Sequence, residues 1–370
     1  MENKNTNNKK KANTSLETTK RVVYTEKAAT SLFGEKAVAH AKTAKNGSLH
    51  KAKSAKNDEY YTRLEDIEAE MMHYRQHFKD KVVFCNCDDP EWSNFFRYFA
   101  MNFSFLGLKK LIATHYEPNG NSYALIVDKN LDVNGDGKID IKDTLKVELE
   151  GNGDFNSAEC LKYLKESDIV VSNPPFSLFR EYIEVLIKNK KKFLIIGNKN
   201  AITYKEVFKH IKDNKLWMGM APLGKDWLFS IPSENEKEFI EKKKEGSAYR
   251  IVNGKVLARV QACWFTNLSN KKRNTPLDLV GYKYSPEKYP KYDNYDAIEV
   301  SKVSDIPEDY TGVMGVPITF LDKYCPEQFD IIGMTEANGT GHSNGLWKGG
   351  NKKATIHGKE IYARLFIKAK

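Results

Sequence analysis

No run of eighteen apolar residues occurs in this chain, so no segment has the length and character of a membrane-spanning helix. Its N-terminus is polar and lacks the apolar block of a secretory signal, so an unexported protein is expected. Cysteine is sparse. Five residues at irregular positions, among them Cys85-Asn86-Cys87, form neither a zinc spacing nor a disulfide framework. A reduced, cytoplasmic setting is the expectation. Most of the chain also lacks an excess of either charge. The formal +10 is concentrated in residues 1–56, where thirteen Lys and Arg face four Glu, and the remaining 314 residues carry only +1. A basic balance suggests a polyanionic partner, but here it is the property of a tail.

That tail, rich in Lys, Asn, Thr, Ser and Ala, has too few large apolar residues to offset its ordering entropy, so residues 1–56 are expected to be disordered. Folded structure is expected from Asn57 onward. Leu64, Ile67, Met71, Tyr74 and Phe78 recur at helical spacing. Apolar runs at 81–85, 111–114, 123–127, 168–172 and 193–197 read as strands, with helices expected from Ser93 and from about Ser177 to Lys190. Alternation of this kind predicts an α/β fold with a mostly parallel sheet and ligands at the carboxyl ends of its strands. From about Lys215 aromatics, prolines and short strands dominate. The expected division is thus a domain at 57–214, with an insertion at 128–145, and a second region at 215–370 that partly completes the sheet.

The most informative segment is Asn173-Pro174-Pro175-Phe176, directly after the apolar run Ile169-Val170-Val171. Two prolines fix φ and remove two backbone donors. The Asn173 side-chain oxygen and the Pro174 carbonyl can accept both hydrogens of an exocyclic amine, while Phe176 stacks on the ring that bears it. An aromatic amine is a poor nucleophile because its lone pair is delocalised. Two acceptors on its N–H groups favour the pyramidal form that attacks a methyl group.

A second motif lies in the insertion. Asp132, Asn134, Asp136, Asp140 and Asp143 fall at positions one, three, five, nine and twelve of a calcium loop of the EF-hand kind. The Lys138 carbonyl stands at position seven and Gly137 at the sharp turn. The spacing predicts a structural Ca2+ ion.

Taken together, the chain resembles the S-adenosylmethionine-dependent, adenine-specific DNA methyltransferases, most closely the EcoRI-type modification methyltransferases. The resemblance covers nearly everything from Asn57 to Lys370. It rests on Asp58-Glu59-Tyr60-Tyr61-Thr62, on Cys85-Asn86-Cys87-Asp88-Asp89-Pro90 with Ser93-Asn94-Phe95, on Asn173-Pro174-Pro175-Phe176, and on Cys263-Trp264-Phe265-Thr266-Asn267. It implies a Rossmann-like methyltransferase sheet with a C-terminal target-recognition region. The implied activity is site-specific methylation of the N6 amine of a flipped adenine in double-stranded DNA, within a restriction-modification system.

The resemblance also implies roles for single residues. Tyr61 and Thr62 would lie against the methionine end of S-adenosylmethionine. Asn86, Asp88 and Asp89 occupy the place of the family's glycine-rich turn, which this chain lacks. Glu117 would hold the ribose hydroxyls, Asp154 the adenine amine of the cofactor, and Phe155 would cover that adenine. Lys242-Lys243-Lys244, Lys271-Lys272-Arg273 and the aromatic stretch Tyr282–Tyr295 are expected to touch phosphates or bases. Rival readings change the acceptor to ribosomal RNA base amines or a protein glutamine, or make the chain a non-catalytic nucleic-acid-binding relative. The missing glycine turn alone supports the last, and the long aromatic C-terminal region favours DNA.

Overall fold

The computed structural model describes Val22–Val23 and residues 61–370, except 88, 121, 232–235, 280 and 337–341. The expectation for residues 1–56 therefore lies outside the described residues apart from Val22–Val23, and Asp88 lies outside them too. The chain divides into two compact units. One is Phe78–Ser172 with the N-terminal segment to Lys53, and the other is Ser54–His77 with Asn173–Lys370. The division after Ser172 falls earlier in the chain than the expected change of texture near 215. Helix α1 (Leu64–Met71) belongs to the second unit. Among the described residues no helix is long and apolar enough to cross a membrane.

The strands of the first unit are β1 (Val22–Val23), β2 (Val82–Cys85), β3 (Lys110–Thr114), β4 (Tyr123–Asp128), β5 (Leu145–Glu148) and β6 (Ile169–Ser172), in the order β1-β5-β4-β3-β2-β6. Strands β2 and β6 are buried along their whole length, as expected of strands covered on both faces. Helix α2 (Asn94–Met101) starts where Ser93 accepts the Phe95 N–H at 3.1 Å, and α3 (Phe103–Leu106) follows at once. Phe95, Phe96 and Phe99 turn inward, and Phe99 meets Phe78 edge-on at 5.0 Å. Helix α4 (Ala158–Glu166) precedes β6.

A mostly parallel sheet was expected, and the observed one is mixed. Strands β3, β2 and β6 are parallel, whereas β4 runs antiparallel to β3 and to β5. The cause is the connection at 115–122: a parallel crossover needs a dozen or more residues, and this one is shorter. The architecture remains α/β with a large mixed sheet, as in Rossmann-like methyltransferases.

In the second unit, β7 (Lys192–Asn198), β8 (Trp217–Met218), β9 (Trp227–Ser230), β10 (Tyr249–Val252), β11 (Lys255–Val260) and β12 (Ala262–Thr266) are accompanied by helices α5 (Phe179–Lys188), α6 (Lys205–Lys212) and α7 (Glu236–Lys242). Strand β12 pairs antiparallel with β7 and with β8, and β11 lies between β10 and β9. Strands β13 (Ile298–Glu299), β14 (Met314–Pro317), β15 (Phe329–Met334) and β18 (Arg364–Ala369) form a separate sheet in the order β13-β14-β18-β15, and β16 (Thr355–Ile356) with β17 (Lys359–Glu360) make a hairpin.

The segment Cys263–Asn267 acts here as a fastener. Asn267 accepts the Phe193 N–H at 2.8 Å and donates to the Lys191 carbonyl at 2.8 Å, while the Thr266 hydroxyl donates to the Phe193 carbonyl. Glu70 plays the same part for α1. Its carboxylate, almost fully buried, accepts the N–H groups of Met220 at 2.6 Å and Ala221 at 2.8 Å. Burial raises its pKa above 4.5 despite these bonds and the contact with Tyr74. Because the folded state holds the proton more tightly than the unfolded one, the stability Glu70 contributes is full below about pH 4.5 and declines as pH rises. Replacing one acceptor by an amide should destabilise Glu70→Gln by about 1–3 kcal/mol. Urea unfolding of both proteins should show that gap to be wider at pH 5 than at pH 7.

Candidate active site

In the first unit three loops meet at the carboxyl ends of β2 and β3 and after β5. The loop after β2 turns at Cys87, whose φ of 71° is left-handed, so a cysteine takes the conformation that a glycine would adopt at no cost. Asp89 follows. One of its oxygens accepts the Glu91 N–H at 3.0 Å, and the other lies 3.7 Å from His115 Nε2. Glu117, two residues past His115 and half-buried, donates its N–H to the Asn152 carbonyl at 2.9 Å. That bond brings the loop carrying Asp154 to the end of β3.

Gly153 makes the approach possible. It has φ 74°, and a Cβ there would stand 1.9 Å from the His115 carbonyl oxygen. The Cys160 thiol donates to the Gly153 carbonyl at 3.3 Å, and burial pushes that thiol's pKa up, so Cys160 is a packing residue and no nucleophile. Asp154 accepts the Asn156 N–H at 2.8 Å in the turn that starts α4, and Phe155 is buried. Asn86 is buried as well. Of the expected cofactor contacts, the first unit thus gathers Asp89, Glu117, Asp154 and Phe155. Trp92 and Tyr116, each 45% exposed, flank the two leading loops.

The sequence reading missed what fixes this group. His115 stacks on Tyr123, centroids 4.6 Å apart, and Lys146 Nζ sits 3.5 Å from the centre of the same ring. Lys146 also pairs with Glu91 at 3.2 Å. Asp89 and Glu91 are therefore both anchored, one by the imidazole and one by the ammonium, through a single tyrosine ring. The signal was the residue register of β3, β4 and β5, which places His115, Tyr123 and Lys146 together only once the antiparallel pairing is known.

In the second unit Tyr61 exchanges two backbone hydrogen bonds with Ser230 at the end of β9, at 3.1 and 2.9 Å, and Thr62 is buried beside it. Asn173 and Pro174 are buried, while Phe176 is half-exposed. The Pro175 carbonyl accepts the Leu178 N–H at 3.0 Å and closes a single turn over Phe176–Leu178. Phe179 underlies it, 4.9 Å from the Phe265 ring. Gly197 gives Phe179 its place, since a Cβ at that position would lie 2.3 Å from the phenyl ring. The turn that follows Asn173-Pro174-Pro175-Phe176 is thus anchored on β7 and β12 through Phe179.

Two of the basic and aromatic runs expected to reach nucleic acid are used internally in part, while Lys271, Lys283, Lys288 and Lys291 stay exposed. Lys272 is bonded to Asp322 at 2.7 Å and to the carbonyls of Gly219 and Met220. Arg273 lies over Trp217 at 4.0 Å and donates to Asn214. Tyr289, Tyr292 and Tyr295 are core residues, with burial raising the Tyr292 and Tyr295 pKa values. Lys242, Lys243 and Lys244 are exposed.

The expectation of calcium is not supported. Among the described residues no group of three or more His, Cys, Asp or Glu side chains is arranged to hold a metal ion. The loop's acids serve its own backbone instead. Asp132 accepts from Gly135 and Gly137 at 2.7 and 2.8 Å, Asp136 from Lys138 at 2.9 Å, and Asp140 from Lys142 at 2.8 Å. The Asn134 amide oxygen accepts from Asp136 in the same way, at 2.8 Å. Asp143, fully buried, accepts from Val133 at 2.8 Å and Asp140 at 2.9 Å and closes the loop.

The family model described as adenine-specific methyltransferase EcoRI matches residues 48–370. Among curated proteins, the chain is 48% identical to the Type II methyltransferase M.EcoRI of Escherichia coli over 342 residues, 89% of this chain and 98% of that protein. It is 44% identical to the Type II methyltransferase M.MpnI of Mycoplasma pneumoniae, covering 77% of this chain and 84% of that one. For the Type II methyltransferase M.MgeORF184P of Mycoplasma genitalium the identity is 39%, with 77% and 85% covered. No solved structure matches significantly.

Calorimetric titration with Ca2+ should accordingly give no saturable heat. Asp143→Ala, which strands buried N–H groups, should lower stability by about 1–3 kcal/mol with or without calcium, read as a shift in the urea midpoint.

Proposed function

Because the chain belongs to the EcoRI family of adenine-specific methyltransferases, we propose that it methylates the N6 amine of adenine in double-stranded DNA with S-adenosylmethionine. The observation that carries this reading is the buried Asn173-Pro174 pair followed by the half-exposed Phe176, whose carbonyl accepts the N–H of the buried Phe179. The residues of the first unit suit the cofactor chemically. Asp89 can hold an ammonium, Glu117 can accept from two ribose hydroxyls and Asp154 from a ring amine, with Asn86 and Phe155 beside them. Tyr61 and Thr62 serve the methionine end.

When bound, the cofactor supplies an electrophilic methyl group on a sulfonium. The protein's task is to make the amine attack it. A duplex hides that amine, so the base is extruded at a cost of about a few kcal/mol. Phe176 stacks on the extruded ring and replaces part of its lost base stacking. Asn173 and the Pro174 carbonyl accept its two N–H hydrogens and draw the nitrogen toward a pyramidal form. With the cofactor held there, the nitrogen lone pair would take the methyl as its bond to sulfur breaks, and the surplus proton on the methylated amine would pass to water, so no residue of this chain need act as a nucleophile. Methylation of ribosomal RNA amines or of glutamine, and a purely binding role, are not favoured, since the relatives matched over most of their length are all named Type II methyltransferases.

Incubation with methyl-labelled S-adenosylmethionine and unmethylated duplex DNA, RNA or protein, followed by digestion, should yield N6-methyladenine from the DNA. Label confined to RNA or glutamine would overturn the reading. Asn173→Ala should slow transfer by about 100- to 1,000-fold, the scale of losing one transition-state hydrogen-bonding group, while cofactor Kd stays within about threefold. Lys146→Met should do the reverse. Its release of Glu91 and Tyr123 weakens cofactor binding several-fold and leaves the rate at saturating cofactor near that of the parent.

A further inference from the structure

The segment from Trp347 to Tyr362, in the second unit, carries four lysines against one acid, Glu360, in a chain whose folded part is almost neutral. Lys348, Lys352, Lys353 and Lys359 are all exposed. Lys353 pairs with Glu360 at 2.6 Å and Lys348 lies 3.7 Å from Asp296, while Lys352 and Lys359 meet no carboxylate among the described residues. Tyr362 presents its ring to solvent at 89% exposure. A lysine run is usually a solvated face, and by itself it signifies little.

What distinguishes this one is how its backbone is held. Three consecutive residues, Asp293-Asn294-Tyr295, grip it from the core side. Asn294, buried, donates to the carbonyls of Asn351 at 2.6 Å and Lys353 at 2.7 Å and accepts the Thr355 N–H at 3.0 Å. The Tyr295 hydroxyl donates to the Lys352 carbonyl. Asp293 accepts the N–H groups of His357 at 3.1 Å and Gly358 at 2.9 Å, where both residues have positive φ and form the tight turn between β16 and β17. Beneath, Ala354 packs with Tyr292, Tyr295 and Phe366, and Ile356 and Ile361 pack against that cluster. Solvated lysines need no such scaffold. A rigid backbone that projects cations and a bare aromatic ring is preorganised for a partner, because the ordering cost is met before binding.

We propose that this segment is a preformed docking surface for duplex DNA, with Lys352 and Lys359 on backbone phosphates and the Tyr362 ring against the bases. Charge chooses the partner class and the exposed ring chooses nucleic acid over a simple polyanion. The surface rests on the DNA-methyltransferase reading and extends it to the residues that hold the substrate. The internally bonded Lys272 and Arg273 cannot serve in this way.

The test uses the full chain and a fluorescent, unmethylated mixed-sequence DNA duplex, with Kd measured by anisotropy between 50 and 200 mM salt. The double variant Lys352→Ser/Lys359→Ser should bind about tenfold more weakly at 50 mM salt, and its slope of log Kd against log salt should fall by about 2. Tyr362→Ala should weaken binding at every salt concentration without changing the slope, and Tyr362→Phe should restore it. S-adenosylmethionine affinity and melting temperature should match the parent in all of them. A control, Lys188→Ser/Lys209→Ser, at exposed lysines on helices α5 and α6, should keep the parent slope. Variants that bind like the parent, or a control that loses as much slope, overturn the surface while the parent still methylates duplex DNA. A parent that neither binds nor methylates duplex DNA overturns the functional reading, and the surface with it.

Discussion

An N–H group buried without a partner costs about 1–3 kcal/mol, and a chain with many irregular connections accumulates such groups. This protein answers that constraint with side-chain oxygens and amides. Glu70 takes two N–H groups of the 219–221 segment, Asp143 closes the long insertion between β4 and β5, Asn267 fastens the start of β7, and Asp293 with Asn294 holds the loop before β16. None of these acids or amides needs a cation or a ligand to be satisfied. The same habit explains the calcium-like loop. A sequence of alternating Asp and Asn with glycines is what an ion-binding turn requires, and it is equally what a turn requires to satisfy its own backbone. Here the carboxylates face inward onto N–H groups, so the spacing describes a self-closed turn.

The loop after β2 meets the same constraint without glycine: Cys87 takes the left-handed conformation and acids follow it. A loop of that kind carries repulsion between Asp89 and Glu91 that a glycine turn lacks. The His115, Tyr123 and Lys146 group resolves it by giving each acid a separate partner while sharing one ring. The two facts belong together: an acidic loop stays ordered because the neighbouring hairpin supplies a cation and an imidazole at the right register.

Much of this was readable in the residues. Continuous apolar runs marked β2, β3, β6 and β7 because strands buried on both faces leave no polar alternation, and Ser93 was recognisable as a helix start. Asn173–Phe176 stood out as a candidate because its chemistry is local: two prolines and an amide define acceptors without help from distant residues. What was not legible depends on pairing. The direction of β4 is decided by the length of one connection, and His115, Tyr123 and Lys146 become neighbours only through that choice. Likewise Lys271–Arg273 and Tyr282–Tyr295 look alike as surface or core in a linear reading. Asp322 and Trp217 draw Lys272 and Arg273 inward, and the cluster with Phe366 buries Tyr292 and Tyr295, while Lys271 and Lys283 stay exposed.

Charge placement follows the same logic. Outside the first 56 residues basic and acidic side chains nearly cancel, so no general attraction draws a polyanion to the folded part. Attraction must then arise locally, where cations are not drawn inward by acids, and several of the buried or half-buried cations are so drawn. Lys225 goes to Asp66, Lys272 to Asp322, Arg259 to Asp226 and Arg364 to Glu299. A lysine that projects from a backbone held on six hydrogen bonds is, in that setting, unlike a lysine on a frayed helix. The root of its side chain stands at a fixed point, so less of the chain has to be ordered when that charge meets a partner. Rigidity of the backbone and exposure of its cations therefore act together, which is why this loop differs from a lysine run on a mobile segment.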